Sequence, residues 1–448
     1  MLLLPVAFAA DIDWEASTAE TVELLSRTLQ AESVNPPGNE TEAALVLAGV
    51  LDQEGIPWEI WESAPGRGSL IARLEGGDEP PLCLLSHLDV VPFEAESWPV
   101  PPLSGKVENG KVWGRGALDM KGMAVVEVMT LVNLKRQGVE LDRDIVLLAV
   151  ADEEVDNAGV HTVMERWDEI GCSHVINEGG MGVQDILFEG LHLWPVSVGE
   201  KGVLWVRMTA HGEPGHGSTP RPGEAPERLL AALEPLLAWD PELTWHPAMV
   251  ELFDSVGQTR SGFERFVLTH PGVMRVMLKK TVKANALTHA VLIDTVHVTG
   301  LEGANKPNVV PGEASALLDC RLLPGTTPEA LLETLEALVG DDQVTFEVLS
   351  AQSAGGSEWH GDPLYAALSE AILEADPQAT VAPTLSPGFT DSIYLRELGV
   401  TAFGMIPFLV TQEELATMHG NGEYVRVEEL ERGLKVLYGT IERYAASQ

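Results

Sequence analysis

Apolar residues fall into two rhythms along this chain, and the change between them divides it. In the first rhythm, residues at helical spacing alternate with short unbroken apolar runs. Val22, Leu25 and Leu29 mark a helix within Asp13 to Ala31, which the breaker Asn35-Pro36-Pro37-Gly38 stops, and a second helix spans about Glu40 to Gln53. Strands are predicted at Trp58 to Trp61 and Ser69 to Leu74, then at the buried run Leu82 to Leu85. The dense apolar face of Met123 to Gln137 predicts a helix, Ile145 to Val150 a core strand, and His174 to Ile176 a shorter one. Helices alternating with such runs predict an α/β domain built on a mainly parallel sheet.

The second rhythm begins after Gly199. Val203 to Ala210, Val291 to Val298 and Ala314 to Leu322 alternate as half-exposed strands do, and Pro226 to Ala238 is an amphipathic helix. Trp245 to Lys283 reads as further helices. From Asp362 the first rhythm returns, with a helix at Pro363 to Glu374, a strand at Thr401 to Met405 and a last helix at Val427 to Tyr444. The expected organisation is therefore a main domain in two parts, 11–198 and 356–448, with a smaller α+β domain inserted at 199–355. A chain of 448 residues exceeds what one core usually organises.

The ends of the buried runs carry the chemistry. Ser86-His87-Leu88-Asp89 places His87 and Asp89 two residues apart, on one face of an extended chain. That suits a metal-bound imidazole held by a carboxylate, or a plain hydrogen-bonded pair. The glycines of Gly114-Arg115-Gly116-Ala117-Leu118-Asp119 leave Asp119 where strand gives way to helix, as a ligand or as a helix cap. Asp152-Glu153-Glu154 follows a core strand, and three adjacent acids repel unless a cation or solvent neutralises them. Asn177-Glu178-Gly179-Gly180 ends another. Ligands of open α/β sheets bind at such carboxyl ends. His87, Asp119, Glu154, Glu178 and His419 supply nitrogen and oxygen donors without a thiolate. Such a set suits zinc, manganese or cobalt, with one carboxylate bridging two ions and Glu153 left as a base.

Composition narrows the partners. The chain has 68 acidic against 28 basic residues, a formal net charge of −40 and a pI near 4.5. A metal site uses a handful of carboxylates, so most of this charge is solvated surface, which argues against nucleic acid and anionic membrane as partners. Solubility and adaptation to high salt both explain it. Cys83, Cys172 and Cys320 form no paired motif, so they are expected as buried thiols. The apolar leader Met1 to Ala10 ends in small residues but lacks a basic start. A signal-peptide remnant, implying a periplasmic or secreted protein, and a mis-started cytoplasmic chain both remain open.

Taken in order, these motifs, with Gly215-His216-Gly217-Ser218, Asn308-Val309-Val310-Pro311 and His419 to Glu423, resemble the co-catalytic zinc metallopeptidases. That family includes aminoacylase, succinyl-diaminopimelate desuccinylase and carboxypeptidase S, and the resemblance runs from about residue 15 to the C-terminus. Glu178-Gly179-Gly180, Trp113 to Asp119 and Asn285-Ala286-Leu287 are most similar to its carboxypeptidase S and N-acyl-amino-acid hydrolase branch. The resemblance implies a zinc-peptidase catalytic domain with an inserted dimerisation or lid domain, a homodimer, and two divalent metal ions, zinc or else cobalt or manganese. His87, Asp119 and Glu178 would hold one ion and Asp119, Glu154 and His419 the other, with Asp119 bridging. Asp89 would orient His87, and Glu153 would deprotonate a metal-bridging water and pass the proton to the leaving nitrogen. His216 and Asn308 would meet the substrate, His216 reaching the partner's site to stabilise an oxyanion.

The implied reaction is amide hydrolysis of peptides, of carboxypeptidase or dipeptidase type, or of N-acyl amino acids. A desuccinylase- or deacetylase-like enzyme and a catalytically silent binding protein are the alternatives. Two positions depart from the family. Asn177 stands where the branch has Asp, and Ile393 where relatives place an arginine that pairs with the substrate carboxylate. Arg396, three residues on, is the expected substitute, ahead of Arg221 and Lys306.

Overall fold

A computed structural model describes residues 12–186, 188–303 and 306–447, apart from the side chain of Leu287; the apolar leader lies outside the described residues. Two compact units emerge. One holds the chain up to Val198, Ser357–Thr384 and the chain from Thr390 on; the other holds Gly199–Gly356 and Leu385–Phe389.

The first unit is organised by four neighbouring parallel strands in the order Arg143–Val150, Glu79–His87, His174–Gln184 and Thr401–Val410. Gly68–Leu74 and then Trp58–Glu62 extend one side antiparallel, and His192–Glu200 joins the other side antiparallel. Leu82 to Leu85 and Ile145 to Val150 are fully buried, which is why their sequences show no alternation. The helix Lys121–Gln137 is buried at every position from Lys121 to Leu134. Even its first residue is used: Lys121 Nζ donates to the carbonyls of Thr28 and Ala31, closing the end of the helix Trp14–Gln30. Truncating a leucine such as Leu84 in this layer would cost about 2–5 kcal/mol.

Several strands outrun their predicted lengths, among them Leu82 to Leu85, which extends to Glu79–His87. His174 to Ile176 extends to Gln184, and Thr401 to Met405 extends to Val410. The glycines read as a stop are instead swallowed by the sheet: a Cβ on Gly180 would stand 2.0 Å from the Pro195 carbonyl, so glycine is what admits the neighbouring strand.

The cysteines differ from expectation. Cys320 is a buried thiol, its pKa pushed up to about 12 by burial. Cys83 and Cys172, however, form a disulfide with Cα atoms 5.8 Å apart. Cys83 lies opposite Val175 in the parallel pair, and Cys172 stands two residues before the start of that strand. Their 89-residue separation hides in sequence a proximity that only the strand order creates.

The second unit has a four-stranded antiparallel sheet in the order Thr295–Glu302, Glu313–Leu322, Gly202–His211, Val344–Gln352. Helices Ala225–Leu237 and Pro328–Val339 share a core with one face, formed by Leu204, Val206, Met208 and Ala210 together with Ala316 and Leu318. Trp205, Arg207 and Thr209 occupy the other face, half-exposed, and this one-sided cover is the source of the period-two pattern. The strand expected at Val291 starts at Thr295, because Val291, Leu292 and Ile293 are buried in the turn before it.

Candidate metal centre

Five side chains meet beyond the carboxyl ends of the parallel strands. His87, the last residue of its strand, is 1% exposed. Its Nε2 lies 3.1 Å from Asp119 Oδ1 and 3.9 Å from Glu178 Oε1. His419 Nε2 lies 2.9 Å from Asp119 Oδ2 and 3.3 Å from Glu154 Oε1. Asp119 therefore turns one oxygen to each imidazole. The donors of His87, Asp119 and Glu178 fall within 4.8 Å of one another, as do those of Asp119, Glu154 and His419, and those of His87, Glu153 and Glu154.

The surrounding residues fix these donors. Asp89 faces His87 Nδ1 with its carbonyl at 3.0 Å and Oδ1 at 3.3 Å. Its carboxylate also accepts the N–H of Glu153 at 3.1 Å and of Glu154 at 3.0 Å, so one buried aspartate orients both a ligand and the acidic loop. Asn35 donates 2.8 Å bonds to Asp89 and to Asp152. Asp152 is further paired with Arg67 at 2.6 Å, which leaves Glu153 and Glu154 as the acids of that triplet facing the centre. Asp152 and His419 hold left-handed φ values of 67° and 57°, a backbone cost of about 1–3 kcal/mol each of the kind that gathers at functional sites.

A second clamp joins the two loops that carry Asp119 and His419. Glu423, fully buried, accepts N–H bonds from Gly116, Leu118 and Asp119 at 3.1, 2.8 and 3.2 Å. Arg115 donates to Glu423 at 2.7 Å and to the Gly420 carbonyl at 2.8 Å. Asn177 donates to Ser392 at 2.9 Å and to Thr390 at 3.3 Å. Sequence reading missed Asn35, Arg67 and Arg115; Asn35 had registered as part of a helix breaker, and nothing local marks Arg67.

The electrostatics call for cations. Burial, and then the charge of Asp119, raise Glu178 well above the usual carboxylate range; burial, and then Glu178, do the same to Glu153. Burial also pushes on Asp119, but hydrogen bonds from His419 and His87 outweigh it and hold Asp119 below its ordinary value. The carboxylates of Asp119, first, and of Glu154 beside its ring in turn push His419 up to about 10. Carboxylates thus crowd together, and their charge favours protons on both imidazoles. Divalent ions would displace those protons and neutralise the acids. Buried Glu154 Oε1 accepts no well-formed hydrogen bond, although His419 lies nearby. The donor set fits two ions with a shared carboxylate.

The predicted substrate residues are divided between the two units. His216 and Asn308 come together in the second unit, where Gly215–His216 pairs with Val309–Val310 and Gly217 N–H donates to the Asn308 carbonyl at 3.0 Å. His216 is exposed, its Nδ1 2.8 Å from Ser218 Oγ. Arg221 lies beside Gly215 in the same loop region. Arg396 makes its contacts within the first unit. Its guanidinium donates to the Ala402 carbonyl at 2.8 Å and to Ser357 Oγ at 3.4 Å. Ala402 is level with Val175 and hence with Cys83, four residues or about 13 Å short of His87 along the sheet. Ile393 is buried, at 1% exposure.

An α/β sheet bearing this donor set at its carboxyl edge has the arrangement of a two-metal site. Residues 83–443 match the profile of peptidase family M20/M25/M40, and the chain belongs to that family. It is 28% identical over 388 residues to the probable carboxypeptidase S-like 2 of Dictyostelium discoideum, covering 84% of this chain and 74% of that one. It is 26% identical to human N-fatty-acyl-amino acid synthase/hydrolase PM20D1, covering 84% and 76%. Among solved structures, the fold resembles the M20 family metallo-carboxypeptidase Sso-CP2 of Sulfolobus solfataricus with a TM-score of 0.70, at 19% identity, covering 96% of this chain and 99% of that one.

Proposed function

We propose that this chain cleaves the amide bond of a small peptide or an N-acyl amino acid, with His87, Asp119 and Glu178 holding one divalent ion and Asp119, Glu154 and His419 a second. The division of Asp119 between two imidazoles, each with a further carboxylate, carries this reading. Zinc is the ion that such nitrogen and oxygen donors suit, with cobalt and manganese close to it. Bound there, the ions supply Lewis acidity and lower the pKa of water.

The chain's own residues do the rest. Asp89 fixes the His87 ring so that Nε2 faces the cluster. Glu153, which neither of these triads needs, takes a proton from the attacking water and delivers it to the leaving nitrogen, so that nitrogen departs as a neutral amine. His216 supplies the oxyanion donor and Asn308 a contact to the substrate, in a homodimer formed through the inserted unit. Carboxypeptidase and N-acyl-amino-acid hydrolase relatives support both substrate classes, which share the bond to be cut.

The test is metal analysis of the purified protein, then chelation, reconstitution with zinc, cobalt or manganese, and a hydrolysis screen of dipeptides and N-acyl amino acids. Two ions per chain and activity that follows them are expected. A protein that binds two ions and hydrolyses neither class would refute the substrate assignment; one that binds none would refute the centre and favour a silent binding protein.

A further inference from the structure

Between Asp254 and Asp294 the charge of this chain inverts. Arg260, Arg265, Arg275, Lys279, Lys280 and Lys283 stand there against Glu264 as the single acid, in a chain whose formal net charge is −40. The segment folds as short helices, Gly262–Leu268, Pro271–Met277 and Lys279–Ala284. Their undersides are fastened by buried Val267, Leu268, Met274 and Val282. Their outer side is apolar as well: Phe263 is 67% exposed, Phe266 46%, Val276 76% and Met277 51%. In sequence, Val276 and Met277 stand between Arg275 and the pair Lys279 and Lys280, all exposed, and none of these three bases forms a salt bridge among the described residues. Lys283 pairs with Asp240.

Short helices on which exposed apolar side chains and exposed cations are interleaved have the pattern of an interfacial segment. We propose that these helices dock the protein on an anionic lipid surface, with Val276, Met277, Phe263 and Phe266 entering the headgroup region and Arg275, Lys279 and Lys280 meeting the acidic headgroups. The net charge points the other way, but it averages over the whole chain. At about 0.15 M salt the Debye length is about 8 Å, so a docked surface feels the residues facing it and little of the distant acids. At about 0.01 M it reaches about 30 Å, and the acids of the entire molecule repel the membrane. Binding should therefore peak at intermediate salt, whereas a uniformly basic protein binds best at the lowest salt.

The experiment is sedimentation of the full-length protein with phosphatidylcholine vesicles containing about 30% phosphatidylglycerol, and with pure phosphatidylcholine, across that salt range. Expected are binding to the anionic vesicles at least tenfold stronger than to the neutral ones, a maximum near physiological salt, and a loss of at least tenfold in K279E/K280E and in V276E/M277E. Unchanged thermal unfolding shows that the variants fold. Absence of vesicle binding at every salt, equal binding to both vesicles, or undiminished binding by both variants would overturn the proposal. Variants that convert a dimer to a monomer in sedimentation, with no lipid binding by the parent, would overturn it in favour of a second copy as occupant.

Discussion

The two sheets of this chain bury their strands differently, and their chemistry differs accordingly. In the first unit the central strands are covered on both faces, so a polar side chain can emerge only where a strand ends. His87 ends its strand, Asp119 precedes a buried helix, and Glu154 and Glu178 follow or interrupt apolar runs. Every cluster of three or more metal-donor residues among the described residues lies in that unit. In the second unit one face of the sheet is left open, so polar residues such as Arg207 and Thr209 spread along the strands and do not converge. Complete burial concentrates ionisable groups at edges, where they must be neutralised together. Half burial disperses them, each to its own water.

The largest consequence is expected at Glu153. Glu153→Gln keeps the shape and both triads but removes the proton acceptor, so kcat should fall about 10²–10⁴-fold while metal analysis still finds two ions. Retention of more than a tenth of the activity would place the base elsewhere. His216→Ala asks whether the dispersed unit contributes to the same chemistry. A loss of about 10²-fold in kcat with unchanged metal content is expected, and a variant indistinguishable from the parent would confine catalysis to the first unit. Glu423→Gln comes next. It weakens the clamp on the Asp119 and His419 loops and leaves Arg115 buried without its anion, so metal affinity should drop about 10–100-fold, read by cobalt absorbance titration. An unchanged titration would mean that the loops hold their shape without it.

Much of this was legible in the sequence because burial writes itself into composition. The unbroken run Leu82 to Leu85, and the acids that follow Val150, announce strands that have no exposed face. Three of the five donors, His87, Glu154 and Glu178, were legible because they follow such runs; Asp119 and His419 lie in loops that the family resemblance marked. What was not legible depends on pairings across distance. Cys83 and Cys172 meet only because two strands are neighbours, Arg67 reaches Asp152 from 85 residues away, and Arg115 reaches Glu423 across 308. The strand through Gly179 and Gly180 outruns the apolar run that announces it, because glycine there admits a close neighbour and leaves no hydrophobic mark. The basic inversion between Asp254 and Asp294 was present in the sequence but averaged away by the net charge.

A smaller effect is expected at Glu127, in the fully buried helix of the first unit. Its Oε2 accepts a 2.6 Å bond from Ser86 Oγ, its Oε1 has no partner, and burial pushes its pKa from 4.5 up to about 8. Between those values the folded chain binds a proton that the unfolded chain releases, so this group lowers stability as pH rises through the window. Glutamine cannot ionise. Glu127→Gln should match the parent at pH 5 and exceed it by roughly 1–4 kcal/mol at pH 9, measured by denaturant unfolding. Parallel stability profiles across that range would show that the carboxyl finds its proton's equivalent elsewhere.

The smallest catalytic effect is expected at Arg396. Family resemblance made it the natural partner of a substrate carboxylate, being three residues from Ile393 on the helix Ser392–Glu397. The structure engages its guanidinium with the Ala402 carbonyl and Ser357 Oγ, and Ser357 Oγ in turn accepts the Ala402 N–H at 2.9 Å. That network fastens Ser357 to the start of a core strand, at the end of the sheet remote from His87. Arg396→Ala should therefore change KM for free-acid substrates by less than about twofold, while costing about 1.5–3 kcal/mol of stability through the lost charged hydrogen bonds. Ile393→Arg should not restore carboxylate recognition, because it would place a guanidinium at a position that is 1% exposed. A tenfold rise in KM for free acids, absent for their amides, would show that Arg396 leaves this network when substrate binds and would return it to the site.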